Sequence, residues 1–149
     1  MQHPRTLMGL SRKRFHQDDV LRLIDRREIR WAWDIARRGA RRPEVRIWRE
    51  SLLAYLAREG GGSNEGGAED LTLEQVIGAI LPKPAAITPR AATVGGRELQ
   101  RRFLCSQTHV AQLIADGELS CLGPAGPRET PAVFYRSAFE FLRRRTMSV

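Results

Sequence analysis

Cysteine is nearly absent from this chain: its 149 residues include only Cys105 and Cys121. Two thiols cannot supply a disulfide framework or a zinc site. Histidine is almost as scarce, with only His3, His16 and His109, so no metal cluster and no cofactor are expected. No apolar run approaches the ~18 residues that a membrane span requires. No apolar leader segment stands near residue 1, so the expected compartment is the cytoplasm, and an Arg-rich chain of this kind suits a bacterial or phage nucleoid. The usual catalytic signatures are missing too: no Ser/His/Asp set, no paired-carboxylate motif, no P-loop and no GxGxxG. The expectation is a protein that is not an enzyme and has no small-molecule ligand.

Lysine is the last scarcity, and it points somewhere. Of 25 cations, only Lys13 and Lys83 are lysine; the rest are arginine. Arginine forks onto phosphate and guanine, which suits nucleic acid. A GC-rich genome would also favour arginine over lysine. It would not produce the net charge of +8. Residues 1–60 hold 15 cations against 8 anions, residues 61–94 hold 2 against 4, and residues 95–149 hold 8 against 5. Two basic ends therefore flank a mildly acidic middle. The middle opens with five glycines within Glu59–Asp70, which reads as a flexible linker. Leu73, Val76, Ile77 and Ile80 then recur at helical spacing, with Thr72 as N-cap and Pro82 as stop. The expected organisation is a first unit over 11–59, a spacer over 60–93 with a helix near 72–81, and a second unit over 94–146.

The two ends resemble each other. Asp19–Ile24 and Glu98–Phe103 share an amphipathic pattern, with Val20 matching Leu99 and Ile24 matching Phe103. Ala32, Ile35, Ala36 and Gly39 match Val110, Leu113, Ile114 and Gly117. Ser51–Leu56 matches Ser137–Leu142. Between the second and third helices each unit has a β-prone patch, Val45–Trp48 or Val133–Tyr135. In this alignment that connection is eight residues longer in the second unit. The glycines suit a helix C′ position, which takes a positive φ. Ser106 suits an N-cap.

This order resembles the excisionase-like, MerR-type winged helix-turn-helix family. In the second unit the resemblance rests on Glu98-Leu99, Phe103–Val110, Gln112–Leu119, Arg136-Ser137 and Phe141-Leu142. In the first it rests on Asp19-Val20, Ile35–Gly39 and Val45–Ser51. Trp31 and Trp33 depart from the pattern, as does the long Gly/Pro loop in the second unit. The fold class expected is mainly α with small β-hairpin wings, in tandem. The resemblance implies a sequence-specific double-stranded DNA-binding protein. Its role would be a recombination directionality or architectural factor of a mobile element, with an integrase or recombinase as partner, or a transcriptional regulator.

Such domains place their second helix in the major groove, N-terminal end first. In the second unit, Gln107, Thr108 and Gln112 fall off the apolar face and are candidates for base contact. In the first unit the expected helix is Arg27–Arg38, with Arg27, Arg30 and Asp34 as base-contact candidates. Trp31 and Trp33 lie 200° apart on such a helix, so both cannot be core: one packs inward against Trp48, and the other covers the linker or faces DNA or a partner. Arg37, Arg38, Arg41, Arg42 and Arg46 gather toward the first wing as phosphate candidates, joined by His109 and Arg128 in the second unit. Arg12-Lys13-Arg14 reads either as a DNA-reaching arm or as a frayed tail. Arg143-Arg144-Arg145 complements a helix C-terminus. Cys105 reads as a small buried apolar residue. Two other classes compete. One is a protein-interaction adaptor in a DNA-processing or phage-packaging complex, using the tryptophans and helix 72–81. The other is RNA binding, for which no RRM or KH signature is present.

Overall fold

The computed structural model describes residues 1–2, 16–61, 71–81, 92–123 and 131–148. Helices dominate these residues, with two small antiparallel sheets. No helix among them is long and apolar enough to cross a membrane. The Gly-rich segment 62–70, the Pro-rich segment 82–91, Arg12–Arg14 and Arg128 lie outside the described residues.

The first half runs α1 (Gln17–Asp25), β1 (Ala32–Asp34), β2 (Val45–Ile47) and α2 (Arg49–Glu59). Then come α3 (Leu73–Ile80) and β3 (Thr93–Gly95), followed by α4 (Gly96–Phe103) and α5 (Gln107–Ala115). The strands β4 (Cys121–Leu122) and β5 (Ala132–Phe134), helix α6 (Tyr135–Arg144) and strand β6 (Thr146–Ser148) complete the chain. Local chemistry explains several boundaries. Asp19 closes α1 by accepting from the His16 N–H at 2.9 Å. Thr72 and Gln75 form a capping box on α3, donating to each other across 3.3 and 2.8 Å. Ser106 Oγ accepts from His109 N–H at 3.1 Å and starts α5.

The expected helix over Arg27–Arg38 is not there. Residues 32–34 form a strand, and Trp31, Trp33 and Ile35 alternate with Ala32 in facing. Ala32, Ile35, Ala36 and Gly39 fit a helical period, but Trp31, Trp33 and Ile35 fit a period of two. Tryptophan and isoleucine favour the pleated surface. Hence both tryptophans are buried, at 2% and 0% exposure, where a helix would have turned one outward.

The internal repeat also shifts register. α1 corresponds to α5 at an offset of 90, not to α4. Glu28 and Ile29 N–H both donate to Leu23 O at 2.9 and 3.2 Å, as Glu118 and Leu119 do to Leu113 O at the same two distances. Arg30 N–H donates to Ser51 Oγ at 2.9 Å, and Ser120 N–H to Ser137 Oγ at 2.8 Å. The helix-three match of Ser51 to Ser137 is retained. The connection between these helices is therefore longer in the first unit, which reverses the expectation. At the helix exit, Gly117 has φ +74 and its counterpart Arg27 has φ +59. A side chain in this left-handed region costs roughly 1–2 kcal/mol. Arg27→Gly is thus expected to stabilise the chain by about 0.5–1 kcal/mol, after allowing for glycine's extra unfolded-state entropy. Urea denaturation checks this, and a fall in midpoint would contradict it.

The two ends are not separate. β1 pairs with β2 on one side and with β6, from the end of the chain, on the other. One face of this sheet carries Ala32, Val45 and Ile47, which bury Val20, Ile24, Leu52 and Tyr55 of α1 and α2. The opposite face carries Trp31, Trp33 and Ile35. These join Leu99, Phe103, Val110, Leu113, Phe141 and Leu142 of the second half in one core. Val76, Ile77 and Ile80 of α3 belong to that core as well, so the expected spacer helix is structural. A second sheet, in the order β3–β5–β4, closes the second half.

Candidate nucleic-acid interface

α5 is fixed on its inward faces and open on one other. Val110 and Leu113 are buried in the core. The ring Nε2 of His109 donates to the Ile35 carbonyl across 2.6 Å, and Nδ1 lies 3.4 Å from Glu44. His109 is therefore a joint between the halves, not an exposed phosphate ligand. Arg37 forks onto Asp116 at the C-terminal end of α5, through bonds of 3.0 and 2.9 Å. That pairing raises the Arg37 pKa and, with Arg38 nearby, holds the Asp116 carboxyl below the usual carboxylate range. The segment following β1 thus runs along one flank of α5.

Gln107 and Thr108 stand exposed in the first turn of α5, and Ala111 and Ala115 are exposed further along it. Gln112 is half-buried on the flank toward Arg37. Arg38, Arg41 and Arg42 are exposed on the connection between β1 and β2. Near the N-terminal end of α5, Arg97, Gln100, Arg101 and Ser106 line a shallow groove. The amphipathic pattern of α4 marks its apolar face and carries no signal for Arg97 and Arg101, whose place beside α5 depends on the turn between the two helices. Arg101 and Arg102 both pair with Glu98, which keeps that carboxyl deprotonated to lower pH than usual.

Other candidates have different work. Arg46 is 3% exposed. Its guanidinium donates to the carbonyls of Phe103, Val45 and Leu104 at 2.8, 2.9 and 2.7 Å, and to Glu44 at 2.7 Å. It binds β2 to the turn between α4 and α5. Asp34 is half-buried and accepts from Ala36 and Glu44 N–H at 2.9 and 2.8 Å, closing the base of the β1–β2 connection. Arg30 is half-buried, with its guanidinium 5.4 Å from the Trp31 ring centroid. Arg27 is exposed in the turn after α1. None of Arg27, Arg30 and Asp34 lies on a helix, so they do not share a groove-facing surface of the kind expected. Cys105 packs against the core, where burial pushes its thiol up to about 11.

The described surface therefore combines a helix with an uncharged polar leading turn, three exposed arginines beside it and further arginines at its N-terminal end. That combination can meet base edges and phosphates together. Comparisons with protein-family models, with curated proteins and with solved structures found no match to this chain.

Proposed function

We propose that this chain is a sequence-specific double-stranded DNA-binding protein of excisionase type, with a winged helix-turn-helix unit in its second half and a related repeat in its first. The observation that carries the reading is α5: its inward faces are locked by the core, His109 and Asp116, while Gln107 and Thr108 project from its leading turn. Glutamine can bond adenine bidentately, and the threonine methyl can meet thymine. The helix order α4, turn, α5, β4–β5 and α6 supports the same reading, with β4–β5 as the base of a wing. Arg38, Arg41, Arg42, Arg97 and Arg101 supply phosphate contacts. The family resemblance extends the proposal to a role as a recombination architectural factor working with an integrase, or as a transcriptional regulator. Both roles need this surface.

The test is binding to duplexes selected from a random pool, measured by anisotropy across a salt series. With about six phosphates neutralised, log K should fall against log salt with a slope near −5, from roughly −0.9 per contact. Duplex DNA should be preferred over duplex RNA at matched salt, since the deep, narrow RNA major groove does not admit a helix. Affinity that is flat between low and moderate salt would remove the proposal.

A further inference from the structure

The two repeats place equivalent helices on the surface, and their chemistry differs. The positions of α1 that match Gln107, Thr108, Ala111 and Ala115 are Gln17, Asp18, Leu21 and Asp25. On α5 all four are exposed and uncharged. On α1, Asp18 is an exposed carboxylate in the first turn with Asp19 beside it, and Asp25 is a third at the C-terminal end. A reading helix enters the groove by its N-terminal end, between two rows of phosphates. Carboxylates on that leading turn meet like charge. The first turn of α5 has none.

The connection between β1 and β2 lies between these helices. Its first part is held on α5 by Arg37–Asp116 and by Ile35–His109. Its last part reaches α1, where the Gln17 side-chain amide donates to the Pro43 carbonyl at 3.5 Å. Arg38, Arg41 and Arg42 ride on the loop between these two anchors. In a single unit of this kind a wing serves its own helix. Here the wing of the first unit is clamped to the helix of the second.

We infer that the chain reads DNA with one helix only, as a composite head: α5 supplies base contacts, the β1–β2 connection of the first repeat supplies the flanking phosphate clamp, and α1 stays off the duplex. This rests on the DNA-binding reading above and assigns base reading to one of the two repeats. The shared core is consistent with it, because the halves are held together instead of being tethered.

The experiment uses the full chain, a selected duplex, hydroxyl-radical footprinting and anisotropy, with circular dichroism to confirm folding of each variant. Every substituted residue is exposed. The footprint should cover one major-groove face, roughly one helical turn of about 10 bp with its flanks. Arg38→Ala/Arg41→Ala/Arg42→Ala should lower affinity for all sequences alike, on the order of 10–100-fold at low salt, and flatten the salt slope by about 2.7. Gln107→Ala/Thr108→Ala should instead erode discrimination between sequences by about 10–100-fold. Asp18→Asn/Asp25→Asn should leave the preferred sequence unchanged and cause no loss of affinity. With binding intact, a footprint over two successive major grooves, or a changed sequence preference in the Asp18→Asn/Asp25→Asn chain, overturns the single-helix head and leaves DNA binding standing. Failure of the unmodified chain to bind any duplex in a salt-dependent way overturns both.

Discussion

Trp33→Ala is expected to destabilise the whole chain by about 3–5 kcal/mol, the usual cost of emptying a large aromatic site. Trp33 is fully buried, on the face of β1 that packs against the second half. Its loss removes apolar contacts to that core and leaves a cavity. Set against a typical stability of about 5–15 kcal/mol, that is enough to populate unfolded chain at physiological temperature. The consequence should reach beyond the first half, because Trp33 shares its core with Phe103, Val110 and Phe141. Amide exchange should therefore accelerate in α5 and α6 as well as in β1. Its indole N–H has no hydrogen-bond partner among the described residues, so Trp33→Phe should cost much less than Trp33→Ala. Loosening confined to residues 17–59, with α5 and α6 still protected, would mean that the two halves fold independently and that the shared core is not a cooperative unit.

Arg46→Ala is the second large effect, and its readout differs from that of the exposed arginines. Arg46 alternates with Val45 and Ile47 on β2, so the strand that buries those two turns its guanidinium toward the second half. In register it pairs with Trp33. Truncation leaves the carbonyl of Phe103 without this charged donor and leaves Glu44 without its nearest cation. Glu44 is part-exposed and water can solvate it, so the cost comes from the buried carbonyls left unsatisfied, about 1–3 kcal/mol each at most and about 2–4 kcal/mol together. Arg46→Lys should recover little, since an ammonium cannot reach three carbonyls set around a planar fork. Thermal and urea melts should therefore shift strongly. Below the melting range, the folded variant should bind DNA with affinity within about twofold of the parent, since a buried guanidinium neutralises no phosphate. An unchanged melt with weakened DNA binding would place Arg46 on the duplex and reverse the assignment.

These two residues show where local sequence reading stops. The heptapeptide Trp31–Arg37 satisfies both a helical and an alternating template. Its strand form depends on β2 and β6, which come from 13 and more than 100 residues away in sequence. Arg46 belongs to a basic run, and charge alone marks the whole run as solvated. Its burial depends on the carbonyls of Phe103 and Leu104, nearly 60 residues further on. Arg37 and His109 behave likewise, since their partners are Asp116 and Ile35 in the other half. By contrast, Gln107 and Thr108 were legible, because Ser106 starts their helix and Val110 and Leu113 orient it within one short window.

Short-range information suffices for α3 with its Thr72 cap, α5 with its Ser106 cap, the match of Ser51 to Ser137 and the basic charge. Each follows from contacts within a few residues or from composition. Tertiary structure alone decided the strand at Ala32–Asp34, the burial of both tryptophans, the inward turn of Asp34 and Arg46, and the joining of two expected units into one core. The reason is physical. Helix caps and apolar periods act over one or two turns, whereas a sheet and a core gain their free energy from partners that the local chain does not contain.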